Sequence, residues 1–261
     1  MKLLVIIGSH RKNGNTANIV NMLNYELSSQ ANNNEITVNT VYLAHQNIQM
    51  CRGCRICFDK GEQFCPLKDD LLQIKEKIAA SDVIILASPV YVEDVTGVMK
   101  NWIDRMAFVC HRPEYFGKAA YVLSTSGIGS TNHTLMTMNN ALRTWGFSVI
   151  GQTTFITDAF MELDELNKRY QAKISKIADR IIKHYQSSNS LKPSFLALMI
   201  FAIQQQYYKK DDNKDSLDYK YWVKRSWLDK DCIYYSKTKS NLLKVILARS
   251  VGRLLAKIVL K

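Results

Sequence analysis

The apolar runs of the 261-residue sequence are short. Its first apolar run, residues 3–7, is interrupted by Gly8, which makes the run too short for a signal peptide. Another run, residues 195–203, is too short to cross a bilayer. We therefore expect a cytoplasmic protein whose first run is a buried strand.

Two common nucleotide-binding motifs are also missing. No Gly-Lys-Ser/Thr follows Gly8 at the offset of a P-loop, and the glycines after the first run lack the G-x-G-x-x-G spacing. ATP binding and Rossmann-type NAD binding are therefore disfavoured. Four of the six cysteines lie between residues 51 and 65. In a reducing compartment, such crowding indicates metal or redox chemistry rather than a disulfide framework.

The formal net charge of +12 is concentrated in the last part of the chain. Residues 187–261 hold 15 of the 35 Lys and Arg residues and 6 of the 23 Asp and Glu residues, a net charge of +9. Residues 1–186 therefore contribute only +3. Because the basic segment contains no recognisable nucleic-acid-binding module, we expect no nucleic-acid partner.

Strand-like and helical segments alternate along the first 186 residues. The strand-like segments are residues 3–7, 36–43, 83–87, 119–123 and 147–155. The helical segments are residues 16–30, 69–80, 97–108, 134–145 and 165–185. Such alternation predicts a doubly wound α/β fold, and right-handed crossovers favour a five-stranded parallel sheet in the flavodoxin-like order 2-1-3-4-5.

The remainder, residues 187–261, is predicted to be a basic, mostly helical C-terminal extension. Residues 187–192 form the candidate linker, so we place the two parts at 1–186 and 187–261. The aromatic residues of segment 211–235, Trp222 and Trp227 among them, indicate order against the main domain or a partner. Segment 240–261 has no acidic residue and predicts a basic amphipathic helix. Its basic residues at intervals of four are Arg249, Arg253, Lys257 and Lys261.

The turn after the first strand has the composition of a phosphate site. Ser9, Asn15 and Thr16 offer side-chain donors beside a helix N-terminus, and Arg11 adds a positive charge. Backbone amides at a helix N-terminus bind phosphate dianions. The alternative is an ordinary polar turn with a good helix cap.

Two further loops follow the third and fourth strands. The first reads Ser-Pro-Val-Tyr-Val from residue 88, where a proline stiffens the strand exit and Tyr91 offers an aromatic face. The second reads Ser-Thr-Ser-Gly-Ile-Gly-Ser from residue 124, and its small residues let a flat ligand approach the backbone. Loops beyond the carboxyl ends of parallel strands meet at one site.

Together these loops, with the Lys-Asn-x-Ile-Asp-Arg segment at residues 100–105, resemble the NAD(P)H-dependent FMN reductase family of the flavodoxin-like superfamily. The resemblance covers residues 1 to about 185. It implies an FMN phosphate at Ser9, Arg11, Asn15 and Thr16. It implies an isoalloxazine ring held by Pro89, Val90, Tyr91, Val92, Ser124, Ser126 and Gly127. It implies no catalytic side chain, because the flavin itself carries the reaction.

A cysteine run, Cys51, Cys54 and Cys57 with Cys65-Pro66 beyond it, supplies four thiols. Such spacing can surround a cubane 4Fe-4S cluster, and it resembles the motif of iron-sulfur flavoproteins, which are relatives of the FMN reductases. Two alternatives remain open, a structural zinc site and free or redox-active thiols. The separate cysteines Cys110 and Cys232 are interpreted as packing residues.

The resemblance implies an FMN-dependent oxidoreductase that takes electrons from NADH, NADPH or ferredoxin. A 4Fe-4S cluster would pass them on singly to a quinone, flavin or protein acceptor. The alternative is a flavodoxin-like electron carrier without substrate turnover. Relatives imply a homodimer or higher homo-oligomer, and the C-terminal helix is a candidate anchor to a membrane surface.

Overall fold

A five-stranded parallel sheet forms the centre of the chain in a computed structural model that describes residues 1–30, 36–159, 161–187, 192–236 and 240–259. The strands are β1 Lys2–Ile7, β2 Thr37–Tyr42, β3 Val83–Pro89, β4 Ala119–Ser126 and β5 Ser148–Ile156. They lie in the order β2-β1-β3-β4-β5, and all neighbouring pairs are parallel. The predicted fold class and strand order are therefore confirmed.

The central strands are buried, whereas the edge strands are partly open. Every residue of β1 after Lys2 and every residue of β4 is buried. Edge strand β2 exposes Thr37, Asn39 and Thr40. A parallel strand covered on both faces has a nearly continuous apolar sequence, which is why the sequence predicts β1 and β3 so directly.

Helices cover both faces of the sheet. Within the described residues they are α1 Asn15–Ser29, α2 Ile56–Asp59, α3 Leu71–Ala79, α4 Gly97–Arg105, α5 Phe108–His111, α6 Asn132–Thr144, α7 Leu163–Gln186, α8 Phe195–Lys210, α9 Leu217–Lys224 and α10 Leu242–Val259. Short 3-10 turns lie at Leu43–His45 and Glu62–Phe64. Helices α3, α4 and α6 share one apolar core with the sheet, and α1 and α7 share the other.

One predicted helix ends earlier in the structure than in the prediction. The sequence predicts a single helix over residues 97–108, but α4 ends at Arg105 and α5 begins at Phe108. Phe108 and Val109 are both fully buried in the core that α4 also enters. The turn between the helices directs these side chains into that core, so burial decides where the helix ends.

The C-terminal extension has an aromatic core of its own. Its largest buried members include Phe201, Trp222 and Trp227. The Trp222 indole donates to the His111 carbonyl at 2.9 Å, and the Tyr221 hydroxyl donates to the Pro113 carbonyl at 2.7 Å. The extension therefore packs on the segment after α5, as its aromatic residues predict. The proposed linker lies partly outside the described residues, at positions 188–191, so the boundary between 186 and 187 stays a prediction.

Helix α10 does not direct all of its predicted basic residues to solvent. Arg249 is buried and donates to the Ile233 carbonyl at 3.1 Å and to Gln205 Oε1 at 2.9 Å. Burial lowers the pKa of Arg249. Arg249 therefore lies on the inner side of the predicted basic amphipathic helix, because its carbonyl and amide acceptors lie inside the extension. Across the described part of the chain, no helix has both the length and the apolar character needed to span a membrane.

Candidate functional site

Three loops at the carboxyl edge of the sheet lie in contact with one another. We call residues 8–14 the first loop, residues 90–96 the second loop and residues 127–131 the third loop. Thr96 Oγ1 donates to the Gly8 carbonyl at 2.5 Å, which joins the first and second loops. The Ser130 hydroxyl donates to Glu93 Oε1 at 3.1 Å, which joins the second and third loops. The convergence predicted from the sequence is therefore present.

The first loop begins with a glycine that no other residue could replace without movement. A Cβ on Gly8 would lie 2.9 Å from Met99 Cβ and 3.0 Å from Thr96 Oγ1. Ser9 is buried, and its hydroxyl accepts a hydrogen bond from the Arg11 amide at 3.1 Å. This packing fixes the path of the loop into α1.

The start of α1 has the features of an anion site. Gly14 is its N-cap residue, so no side chain caps the first amides of the helix. No acidic residue lies in the first turn. Asn15 Nδ2 donates to the Asp158 carbonyl at 2.5 Å, and Thr16 Oγ1 lies 2.7 Å from Thr125 Oγ1. The Asn15 and Thr16 side chains thus also tie α1 to neighbouring elements. Arg11 lies at the exposed side of the same loop.

The second loop contains a tight turn in an unusual conformation. Tyr91 and Asp94 exchange backbone hydrogen bonds of 2.8 and 3.2 Å, and the two residues between them, Val92 and Glu93, have φ values of 48° and 65°. A β-branched residue rarely adopts positive φ, and such strain persists where surrounding contacts hold it. The Val92 side chain is 99% exposed and Tyr91 is half-exposed. The strained turn therefore holds Tyr91 at the open edge of the site.

Some residues at the end of β4 and in the third loop are buried, and others are exposed. The Ser126 hydroxyl accepts from the Gly129 amide at 3.2 Å, and Gly127 is exposed. Ser124 is fully buried, and its hydroxyl has no hydrogen-bond partner among the described residues. An unpaired buried hydroxyl is costly, so a polar ligand group reaching this strand end would relieve it.

Pro89 and Val90 complete the predicted ring contacts. Both are half-buried, and the Val90 amide donates to the Thr125 carbonyl at 2.9 Å. The structure thus brings all eleven predicted cofactor residues to one edge of the sheet. Their composition of small side chains, hydroxyls, one cation and an uncapped helix fits a phosphorylated planar ligand.

The four clustered cysteines line one cavity. Cys51 and Cys54 are exposed, and Cys57 and Cys65 are half-buried. The cavity measures about 590 Å³ with its open mouth. Burial, together with the neighbouring cysteine thiols, raises the pKa of Cys57. Positive charge or metal coordination would favour the thiolate form.

Within the described residues, no group of three or more His, Cys, Asp and Glu side chains has an arrangement that could hold a metal ion. The thiols nonetheless share one cavity, and four sulfur donors are the set that an iron-sulfur cluster uses. The predicted ligands Cys51, Cys54, Cys57 and Cys65 therefore stay a prediction that the donor chemistry fits.

We call residues 51–65 the cysteine loop. Helix α4 holds the beginning and the end of this loop. Asn101 Oδ1 accepts from the Cys51 amide at 3.2 Å. Arg105 donates to the Gln49 carbonyl at 2.7 Å and forms a buried ion pair with Asp69 at 2.6 Å. Arg105 Nη2 donates to Asp69 Oδ1 at 3.1 Å and lies 3.9 Å from Cys65 Sγ. Although burial alone would raise the pKa of Asp69, hydrogen bonds from Arg105 and two backbone amides hold it below its ordinary value.

Helix α4 also connects the cysteine loop to the cofactor edge. Thr96, the residue that binds the Gly8 carbonyl, is the N-cap of α4 and accepts from the Met99 amide. Asn101 lies about 7.5 Å further along the helix axis. The same short helix therefore contacts both sites.

A second group of charges holds the middle of the cysteine loop. Arg112 donates to the Cys57 carbonyl at 2.7 Å, contacts Glu62 at 3.3 Å and pairs with Asp218 of α9. Lys75 lies 2.7 Å from Glu62. Although burial alone would raise the pKa of Glu62, the hydrogen bond from Lys75 lowers it overall. This network links the C-terminal extension to the cysteine loop.

Sequence reasoning assigns no role to these supporting residues. Asn101 and Arg105 carry a signal, because they lie in the Lys-Asn-x-Ile-Asp-Arg segment that contributes to the family resemblance. Arg112 and Asp218 are separated by more than a hundred residues and belong to no motif. Only the tertiary contact between α5 and α9 identifies them.

The sequence profile of the family described as NADPH-dependent FMN reductase matches residues 1–162. A relative named iron-sulfur flavoprotein, from Archaeoglobus fulgidus, is 30% identical over 229 residues, which cover 87% of this chain and 100% of that protein. Another iron-sulfur flavoprotein, from Methanosarcina thermophila, is 28% identical and covers 59% of this chain and 79% of that protein.

Solved structures show the same fold. A flavone reductase superposes with a TM-score of 0.54 at 17% identity, covering 72% of this chain and 65% of that one. An FMN-dependent NADH-azoreductase from Bacillus anthracis, in complex with FMN, superposes with a TM-score of 0.52 at 12% identity, covering 69% and 99%. At these identities the likeness concerns the fold alone.

Proposed function

The chain belongs to the NADPH-dependent FMN reductase family, and from this premise we propose that it takes electrons from NADH, NADPH or a ferredoxin. FMN bound at the three loops would pass them to a quinone, flavin or protein acceptor. Family membership itself supports the coarser statement, an FMN-dependent oxidoreductase or electron carrier. The observation that carries the proposal is the contact among three loops from β1, β3 and β4.

Each loop has its own task in this proposal. The uncapped start of α1, with Ser9, Asn15, Thr16 and Arg11, binds the phosphate. Pro89 to Val92 and the Ser124–Gly127 segment orient the ring and exclude water from one of its faces. Bound FMN would supply the ability to accept two electrons together and release them singly. No side chain is required as a general acid or base.

We further propose that Cys51, Cys54, Cys57 and Cys65 hold a 4Fe-4S cluster. The shared cavity supports this proposal, as do the names of the archaeal relatives. Such a cluster would supply single-electron transfer between the flavin and a protein or quinone acceptor. The guanidinium of Arg105 beside Cys65 would offset the negative charge of the cluster and raise the reduction potential of the cluster.

FMN titration followed by flavin fluorescence tests the phosphate site. We expect Arg11→Gln to raise the Kd for FMN by roughly ten- to a hundred-fold, the range of a charge-assisted hydrogen bond. Lys12→Gln is the matched control, because Lys12 is the neighbouring exposed cation. Riboflavin lacks the phosphate, so its affinity should be equal in both variants. Equal FMN affinities in both variants would remove Arg11 from the site.

Steady-state oxidation of NADH and NADPH by the FMN-loaded protein separates an enzyme from a carrier. We expect turnover with at least one quinone, flavin or nitro-aromatic acceptor. Failure of every acceptor, with retained reduction by a ferredoxin, would establish the electron carrier instead. A protein that does not bind FMN would overturn both.

Iron and sulfide assays on anaerobically purified protein test the cysteine site. We expect near four irons per chain in the wild type and a large loss in Cys57→Ser. Cys232→Ser is the matched control, since Cys232 is a half-buried thiol outside the cysteine loop. Bound zinc, or thiols without metal, would support one of the two alternatives. Sedimentation analysis of the same sample tests the predicted homodimer.

A further inference from the structure

Helix α10 exposes an apolar face that no described part of the chain covers. We call it the outer face of α10. Its exposed apolar residues are Leu242, Leu243, Ile246, Leu247, Val251, Leu254 and Ile258. Leu247 is 59% exposed and Leu254 is 61% exposed. A contiguous exposed apolar surface marks an interaction site more often than scattered exposed apolar residues do.

The opposite side of α10 fixes this orientation. Val245, Ala248 and Ala256 are buried. Gly252 lies so close to α8 that an added Cβ would be 2.6 Å from the Met199 carbonyl oxygen. Buried Arg249 has its hydrogen bonds on the same inner side. The helix therefore cannot rotate to bury its outer face.

Five of the seven outer-face residues form a narrow strip, and Leu242 and Ile246 lie to one side of it. At about 100° per residue, Leu243, Leu247, Val251, Leu254 and Ile258 fall within an arc of about 80°. Such an arc is typical of a helix that lies parallel to a membrane surface, with its apolar side toward the lipid acyl chains.

Basic residues flank this five-residue strip on both sides. Lys244 lies on one flank and Arg253 and Lys257 on the other, where the last two are exposed. Residues 240–261 contain no acidic residue, and residues 187–261 carry a net charge of +9. Long basic side chains beside an apolar strip can reach lipid phosphates while their stems contact the acyl chains.

The start of α8 extends this surface. Lys244 Nζ donates to the Pro193 carbonyl at 2.7 Å, which places the start of α8 beside the first turn of α10. Phe195 and Leu196, in the first turn of α8, are both exposed. An aromatic and an aliphatic side chain are therefore exposed in the helical turn that begins beside Lys244.

From these observations we propose that the outer face of α10 binds the surface of an anionic membrane, with its leucines in the headgroup and acyl boundary and its cations on lipid phosphates. Charge decides against a second copy as the occupant. A symmetric contact through this face would bring Arg253 and Lys257 against the same basic face of the second copy, and segment 240–261 has no carboxylate to neutralise them. An anionic lipid surface offers the complementary charge.

Vesicle co-sedimentation of the full-length, FMN-loaded protein tests the proposal. We expect binding to phosphatidylcholine vesicles that contain about one third phosphatidylglycerol, and weaker binding at high salt or to phosphatidylcholine alone. The double variant Leu247→Glu, Leu254→Glu should bind at least about ten-fold less. Both positions are exposed, so the fold should be retained, which circular dichroism checks. Tyr25→Glu, at an exposed residue of α1, is the matched control.

A charge variant tests the electrostatic part separately. Arg253→Gln and Lys257→Gln together should weaken binding to anionic vesicles by about five-fold per charge. Lys224→Gln removes an exposed cation of α9 and should leave binding unchanged. The proposal is overturned if the wild type does not bind anionic vesicles, or if controls and test variants lose binding equally. It is also overturned if the leucine double variant only dissociates an oligomer, which would assign the face to a second copy.

Discussion

The buried pair between Asp69 and Arg105 should be the strongest polar support of the cysteine loop. Asp69 Oδ2 lies 2.6 Å from Arg105, and the two side chains are only 1% and 2% exposed. Asp69 also accepts from the Gln49 amide at 3.0 Å and from the Leu71 amide at 3.2 Å. Replacing Asp69 by asparagine removes the charge and one of the two acceptor atoms, while the side-chain volume stays almost the same.

The cost follows from what remains after the substitution. Arg105 would stay buried without its counter-charge, and removal of one partner of a buried pair destabilises a protein by about 3–5 kcal/mol. The amide oxygen of the substituted side chain can still accept one bond, so we expect a loss near the lower end, about 3 kcal/mol. That loss is a large part of the roughly 5–15 kcal/mol that stabilises a domain.

Helix α4 carries its own control for this experiment. Lys100 and Asp104 form a second ion pair, also at 2.6 Å, but their side chains are 50% and 49% exposed. An exposed pair at this spacing contributes about 0.3–0.5 kcal/mol. Asp104→Asn should therefore lower the free energy of unfolding several-fold less than Asp69→Asn. The two variants are matched, because each removes a carboxylate that is paired with a cation of α4.

Urea unfolding of the reduced, metal-free protein, followed by circular dichroism, measures both costs. The variant Asp69→Leu, Arg105→Leu should cost less than the sum of its single changes, because it leaves no unpaired charge. The reasoning is refuted if Asp69→Asn costs less than about 1 kcal/mol, or no more than Asp104→Asn.

Three further predictions concern Gly8, Asp69 and Trp222. Gly8→Ala should cost about 1–3 kcal/mol and weaken FMN binding about ten-fold, because its Cβ would lie 2.9 Å from Met99 Cβ; fluorescence titration checks this. The folded-state pKa of Asp69 is depressed, so its stabilisation is complete above the unfolded value of about 3.9 and is lost as pH falls through the folded value. Unfolding measured against pH should show a smaller loss in Asp69→Asn than in the wild type, because Glu62, whose pKa is also lowered, still contributes. Trp222→Ala empties the aromatic core and removes the bond to the His111 carbonyl, so urea unfolding should show a loss of about 3–5 kcal/mol; a loss below about 1 kcal/mol would contradict the packing.

Much of the fold could be predicted because local sequence and chain topology agree. Strands β1, β3 and β4 are apolar runs followed by polar turns, and parallel strands with right-handed crossovers allow few orders. The same rules place the three loops at one edge. Gly8 is predictable as a turn, but its contact with Met99 is not, since that contact depends on where α4 packs.

The supports of the site could not be predicted in the same way. Val92 adopts positive φ although valine disfavours it, so its sequence gives no signal of the turn. Arg112 meets Asp218 only because the C-terminal extension packs beside α5. Cys57 depends on that contact through its carbonyl. Long-range ion pairs leave no local pattern in the chain.

The sequence by itself determined the strands, the three loops and the spacing of the four thiols, because each depends on residues close together in the chain. The connection rules for parallel strands then left few possible sheet orders. Tertiary structure alone decided which side of α10 is covered. Periodicity shows that a helix has two faces. Which face of α10 is buried depends on tertiary contacts, because Arg249 donates a hydrogen bond to Gln205 and Gly252 packs closely against Met199. Burial of Arg249 became favourable through those acceptors, and the leucine face was left outside.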